Sequence, residues 1–515
     1  MWKPIYSLGG IVLPLLLLHH ACWLFVASHS TPPPLPLPPL PSAAQLRWQL
    51  GEMALFFHFG PNTFTDTEWG SGRVSPSVFR PDGLDARQWA RAAASGGFAR
   101  MVLTAKHHDG FCLWPSSYTN YSVLSSPWRA GNGDLVGELA DAAREFGIGM
   151  GVYLSPWDRH DPAFGNTVEY NEYYLGQMTE LLTKYGDILE VFLDGAKGEG
   201  EKDMEYFFDL WFQLIHQLQP DAMIFSDAGP DIRWVGDELG VAGSTCWSLF
   251  NKSAATIGGT NEPYARHGDP AGIDWVPAEC DVSIRSGWFW HSSEHPKSAL
   301  DLLDIYYNSV GRNCFLILNV PPNSTGLISD EDLEVLQDFA TLRTAIFSHN
   351  LAETATITAN SMRGGRSDAS FSPLNILHKS IYNYWAPDEG ESEWAIFLHF
   401  EQLVSFNVIQ IQEPIQMGQR VIKFQVDILI HGEWETIVNG TTIGYKRLLR
   451  FQMVETHSLR LTINKSRAVP LIAYLGIHVD PFSVVYNSFG AKSSSIKKHS
   501  KQKYRSFFGA LEVAI

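Results

Sequence analysis

The chain has 515 residues, with 38 Lys plus Arg against 55 Asp plus Glu and a formal net charge of −17. Apolar residues make up 45% and charged residues 18%, with 17 Trp, which excludes a disordered chain of low hydrophobicity and high charge. The acidic balance also excludes the basic stripe that a nucleic-acid partner requires, leaving a soluble globular protein of two to four domains at roughly 150 residues each.

Lys3 is the only charge before Arg47, the stretch 9–18 is apolar, and a second apolar patch at 21–27 leads to Val26-Ala27-Ser28. One charge, a hydrophobic run and a small-residue exit predict a secretory signal over residues 1–30. A membrane anchor is the weaker reading, because His19-His20 interrupts a run that needs about 20 apolar residues to span a bilayer. No membrane association is expected once the signal is removed, and the expected location is extracellular. Residues 31–45, with PPPLPLPPL, predict a polyproline-type spacer. Asn-x-Ser/Thr sites at Asn120, Asn251, Asn323, Asn439 and Asn464 fit a glycosylated surface. Beyond Cys22, four cysteines remain, Cys112, Cys246, Cys280 and Cys314; they allow two disulfides, and without a CxxC they do not suggest a zinc site.

Residues 46–348 alternate β-rich runs with amphipathic stretches. The runs are MALFFHFG (53–60), FARMVLTAKH (98–107), GIGMGVYLSP (147–156), LEVFLDG (189–195), AMIFSDAG (222–229) and CFLILNV (314–320). Helical patterns such as GDLVGELADAAREFG and YNEYYLGQMTELLTKYG lie between them. Strand followed by helix, repeated over a segment of this size, predicts an α/β fold with a (β/α)8-type barrel. The doubly wound alternative lacks a glycine-rich phosphate loop after its first strand. Residues 349–482 change to short alternating runs with Gly and Asn turns, predicting a C-terminal antiparallel β-sandwich that braces the barrel or binds carbohydrate. From residue 483 to 515 the chain is Ser- and Lys-rich and reads as a basic flexible tail.

Polar and aromatic residues gather at the C-terminal ends of several predicted strands: His58, His107, His108, Tyr153, Asp194 and Asp227. In a barrel those ends share one mouth. Asp194 closes an apolar run and is followed by Gly195, which presents a carboxylate with room for a ligand. A partner acid must come from Glu199, Glu201, Asp237 or Glu238; of these, Asp237 and Glu238 follow Trp234, whose indole can raise a carboxyl pKa by desolvation. The residues alone leave Asp237 and Glu238 open. Paired carboxylates among Trp69, Trp114, Trp157, Trp234, Trp288 and Trp290 point to glycoside hydrolysis, with a few of these rings against sugar C–H faces. His107-His108 is a poor metal pair, because adjacent side chains on a strand face opposite ways unless a bulge intervenes. Nor is there a G-x-S-x-G elbow for a serine nucleophile.

The ordered pieces FFHFGPNTFTDTEWG, LTAKHHDGFCLWPS, GVYLSPWDR, VFLDGA, SDAGPDIRWVGDE, SGWFWH and GRNCFLILNVPPNSTG resemble the α-L-fucosidases of glycoside hydrolase family 29, most closely their secreted plant members. The resemblance implies Asp194 as nucleophile and Glu238 as acid/base, with Asp237 as fallback. It places His58, Glu68, Trp69, His107, His108 and Tyr153 in the fucose pocket, and Arg233, Trp288 and Trp290 at its wall or rim. It further implies a retaining double displacement without metal or organic cofactor, acting on fucosylated oligosaccharides or glycoprotein glycans. The implied substrate is α-1,3/1,4-linked fucose of Lewis-type determinants, with α-1,2-linked fucose of xyloglucan type, or fucose binding without turnover, as alternatives. The resemblance to secreted plant members also implies the apoplast or cell wall as location, with the vacuole as the alternative; oligomeric state is not legible.

Overall fold

The computed structural model describes residues 31–195, 198, 200–365 and 368–483. The expected signal (1–30), nearly all of the basic tail and Glu199 lie outside the described residues. Contacts divide the chain into a unit ending at Val479 and a second from Asp480 to Ile515, of which only 480–483 are described.

Eight parallel strands close a barrel in the larger unit: β1 (Met53–Phe57), β2 (Arg100–Lys106), β3 (Gly149–Leu154), β4 (Glu190–Phe192), β5 (Met223–Ser226), β6 (Ile232–Trp234), β7 (Ala278–Ser283) and β8 (Phe315–Asn319). They follow one another round the barrel in chain order, and β8 pairs with β1. Two of these strands had no apolar run to announce them. β6 is three residues long within a stretch that reads as a loop, and β7 (AECDVS) carries polar side chains. β5 reaches β6 through residues 227–231 with no helix between, so the alternation is broken once. Ala54, Phe56, Val102, Tyr153, Phe192, Met223, Phe225, Phe315 and Ile317 pack together, and β-strand side chains of period two make them one face of each strand.

The N-terminal end of the barrel is plugged by α1 (Ala43–Leu50), whose capping box at Ser42 and Gln45 fixes its start. Its Trp48 stacks on Phe315 at 4.2 Å and donates its indole N–H to buried Glu190 at 2.9 Å. Arg100 donates to the same Glu190 oxygen at 3.1 Å. Burial, followed by the charge of Glu190, pushes Glu279 well above the carboxyl range, so it is held as the neutral acid beside this pair. Removing one partner of a buried pair leaves an uncompensated charge, so Arg100→Ala is expected to lower unfolding free energy by about 3–5 kcal/mol in denaturant titrations. An unchanged midpoint would show that the plug does not depend on the pair.

Most of the Pro-rich stretch expected as a spacer lies against the C-terminal domain. Arg363 donates to the Pro32 carbonyl at 2.8 Å, Arg420 donates to the Leu35 carbonyl at 2.6 Å, and Leu37 N–H donates to the Met417 carbonyl at 3.0 Å. α1 also begins within it.

That C-terminal domain is an antiparallel sheet of β9 (Ala355–Ala359), β10 (Trp394–Gln412), β11 (Val421–Ile430), β12 (Glu433–Gly440), β13 (Arg447–Ser466) and β14 (Tyr474–His478). WAIFLHF and FNVIQIQE, which read as two strands, are one 19-residue strand, and KRLLRFQM with HSLRLTIN form one of 20 residues. Bulges between His399 and Val404 and between Phe406 and Val408 let these long strands bend, and both halves share one apolar cluster. The sheet grips the barrel at its N-terminal end. Lys446 pairs with Glu52, just before β1, Tyr445 donates to the Cys314 carbonyl at 2.9 Å, and Ser248 N–H donates to Gln419 at 2.8 Å. Among the described residues, none beyond Trp288 lines the cleft described below. Of the four cysteines, Cys280 of β7 and Cys314, the residue before β8, form a disulfide, while Cys112 and Cys246 are buried thiols.

Candidate active site

The C-terminal strand ends open into a cleft of about 310 Å³. β1 and its loop supply Phe56, His58, Glu68 and Trp69; β2 supplies His107 and His108, and β3 Tyr153. Phe192, Asp194 and Gly195 follow from β4, Phe225 and Asp227 from β5, Trp234 and Glu238 from β6, and Asp281 and Trp288 from β7. Gly258 and Thr260 reach in from the excursion between β6 and β7. A register shift between Thr104 and Lys106 ends the regular pleat of β2, so His107 and His108 both face the cleft, with rings 4.1 Å apart, rather than opposite sides of the sheet.

The histidines are neutral. Burial drives the His58 pKa down to about 3, against a 2.9 Å hydrogen bond with Asn319. Burial also holds His107 well below its ordinary value, and it lowers His108 despite the nearby Asp194 charge. His108 Nδ1 is 2.7 Å from Ser155 Oγ, and its Nε2 is 3.7 Å from Asp194 Oδ2. Tyr153 donates its hydroxyl to the same Asp194 oxygen at 3.0 Å; burial pushes its own pKa well up, so the proton stays on the phenol. The Asp194 side chain is thus held in place by a phenol and faced by the His108 imidazole.

Glu238 has a different setting. Its carboxyl accepts the Trp288 indole N–H at 3.1 Å, while partial desolvation at the cleft mouth and then the charges of Asp194 and Glu68 raise its pKa. Asp237 faces away from the cleft in an ion pair with Arg266 and accepts Leu239 N–H at 2.8 Å, so of these two neighbours only Glu238 borders the cleft. Glu201, another early candidate, pairs with Arg159 at 3.5 Å and is not in the lining.

Two lining carboxyls were not foreseen as site residues. Asp281 accepts the Trp234 indole N–H at 2.7 Å; burial, helped by the charges of Glu238 and Asp194, pushes it up to about 8. Its signal was an acid inside a strand-length run, AECDVS, where a core strand would carry an aliphatic. Asp227, seen as a strand-end residue but given no role, is pinned by Gly258 N–H at 2.7 Å and the Thr260 hydroxyl at 2.8 Å, and burial raises its pKa.

Two residues expected at the wall or rim, Arg233 and Trp290, are not in the lining. Arg233 is fully buried and turned out of the barrel: it donates to the carbonyls of Ala265, Val276 and Trp247 and lies 5.1 Å over the Phe250 ring. The alternation of β6 explains this, because Trp234, its neighbour, takes the cleft-facing position. Trp290 is half-buried and absent from the lining, whereas Trp288 two residues earlier is present. Trp114 and Trp157 are core, and Trp69 stands 53% exposed at the rim, edge-on to Trp157. The five sequon asparagines are all exposed or half-buried.

Several carboxyls in an aromatic cup at the catalytic end of a barrel define a glycoside hydrolase. The family model for Alpha-L-fucosidase matches residues 57–342. The chain is 63% identical over 455 residues to Alpha-L-fucosidase 1 of Arabidopsis thaliana, covering 88% of this chain and 90% of that one. It is also similar to the crystal structure of SpGH29, with a TM-score of 0.83, 41% identity, and coverage of 87% of this chain and 100% of that one. A Ruminococcus gnavus GH29 fucosidase in complex with fucose gives a TM-score of 0.82 at 35% identity, covering 87% of this chain and 97% of that one. The chain belongs to the α-L-fucosidase family, glycoside hydrolase family 29, and is an enzyme of that class.

Proposed function

We propose that this chain is a retaining α-L-fucosidase that releases α-1,3/1,4-linked fucose from branched, Lewis-type glycans. The observation that carries the mechanism is the unequal setting of two carboxyls bordering one cleft. Asp194 accepts a phenolic hydrogen bond, whereas the Glu238 pKa is raised, so Glu238 holds its proton to a higher pH. Asp194 attacks the anomeric carbon as the glycosidic C–O bond breaks, and Glu238 gives its proton to the leaving oxygen. Glu238, now a base, takes a proton from water; the water oxygen attacks the same carbon and the fucosyl ester bond breaks, restoring Asp194.

Phe56, Phe192, Phe225 and Trp288 supply apolar surface for the C6 methyl of fucose, and the neutral histidines can donate to or accept from its hydroxyls. Glu238 and Trp69 are exposed at the rim, which leaves the leaving-group side open to a branched sugar. The complex of the Ruminococcus gnavus relative with fucose supports the sugar assignment. Assay of purified protein against 2-, 3- and 4-linked fucosyl oligosaccharides tests the linkage: a Lewis-type trisaccharide should be cleaved and a 2-linked one left nearly intact. Efficient release from the 2-linked substrate alone overturns it. Secretion and glycosylation belong to the same proposal and rest on the apolar N-terminus and the accessible sequons; a mobility shift of the secreted protein on deglycosylation is the expected result.

A further inference from the structure

The loops after β1 and β7 meet at one wall of the cleft, and an imidazole joins them. His291 Nδ1 lies 2.6 Å from Asp66 Oδ1, and its Nε2 lies 2.6 Å from Glu68 Oε1. A carboxyl group at each ring nitrogen favours a proton on both, and so the imidazolium form. Burial works against that charge, but the hydrogen bonds to Asp66 and Glu68 and the charges of Glu68 and Glu294 outweigh it and raise the His291 pKa. Glu68 Oε1 also accepts Phe289 N–H at 3.3 Å, and Oε2 accepts Trp288 N–H at 3.0 Å. Gly287 makes room for the arrangement, since a Cβ there would fall 2.4 Å from Glu68 Oε1 and 2.9 Å from His291 Cδ2. Glu68 and Trp288 both line the cleft, and the Trp288 indole continues the chain of bonds to Glu238.

We propose that His291 is a positioning residue, a cationic strut between Asp66 and Glu68 that locks the Glu68 carboxylate against the Trp288–Phe289 backbone and so sets the sugar-facing wall of the cleft. This rests on the fucose-binding reading of the cleft. Losing the ring proton removes one donor and the charge, freeing Glu68 to turn, so fucose affinity falls as pH rises through the raised His291 pKa.

The test is calorimetric titration of L-fucose across pH into Asp194→Ala protein, in which turnover is removed, and into the same protein carrying His291→Gln or Asp66→Asn. The parent should bind at low pH and weaken as pH rises. His291→Gln should bind about tenfold more weakly at about pH 5.5 and lose the pH dependence, the scale expected for a hydrogen bond to a charged group. Asp66→Asn should bind like the parent at low pH with its midpoint moved to lower pH, because one of the carboxylates favouring the imidazolium is gone. The Asp66 side chain is 79% exposed and Asn tolerates its left-handed backbone, so this variant decides the matter even if His291→Gln does not fold. Parent-like binding by His291→Gln, or an unmoved midpoint in Asp66→Asn, overturns the strut while leaving the fucose reading intact. No fucose binding by the Asp194→Ala parent overturns both.

Discussion

Asp194→Ala is expected to lower kcat by at least about 10³-fold on an aryl fucoside, because removing a nucleophile leaves only binding and electrostatic contributions. The loss should come without much change in thermal midpoint: the side chain is 29% exposed at the cleft, and its removal opens no cavity in the core. Tyr153 and His108 stay in place around the space left, so a small anion such as azide or formate has a site facing the anomeric carbon. Rescue by azide with formation of a fucosyl azide identifies the position as the nucleophile's. If kcat survives, Asp227 is the next carboxyl to consider, being pinned beside Gly195 by the 258–260 segment.

The second large effect belongs to Glu238. Its acid form is the active one, and partial desolvation with the charges of Asp194 and Glu68 raises its pKa, so kcat/KM should fall as pH rises through that raised value. Glu238→Gln keeps the bond from Trp288 yet cannot give up a proton. Turnover of an oligosaccharide should drop by about 10²–10⁴-fold, and turnover of an aryl fucoside with a good leaving group by less. The alkaline limb should shrink in the profile of the variant to what His291 contributes through fucose binding. Persistence of the whole limb would assign it to another group in the same cleft, Asp281, pushed up to about 8, being placed to produce it beside the His291 contribution.

Six of the eight barrel strands were legible because their residues make continuous apolar runs, as strands covered on both faces do. β6 and β7 were not, for a reason tied to function. Glu279 and Asp281 project from β7 where a silent strand would carry aliphatics, one beside Arg100 and Glu190 and the other into the cleft, so the chemistry erased the hydrophobic signature. Arg233 shows the reverse error: a charged residue next to cleft residues in sequence looks like a wall residue, but alternation turned it to the far side. Asp194 was visible because Gly195 follows an apolar run, while choosing Glu238 over Asp237 needed either a family resemblance or sight of Arg266. The His291 contacts join positions more than 220 apart in the chain, which no local pattern encodes.

The brace at the closed end gives the molecule a front and a back. Coupling the enzyme to a support through the sheet would leave the open mouth turned toward solution. Exposed side chains at the mouth, such as Trp69 and Leu239, can then be varied to retune glycan choice with little effect on what keeps the protein folded, since Glu52, Tyr445 and Lys446 hold the two domains together elsewhere.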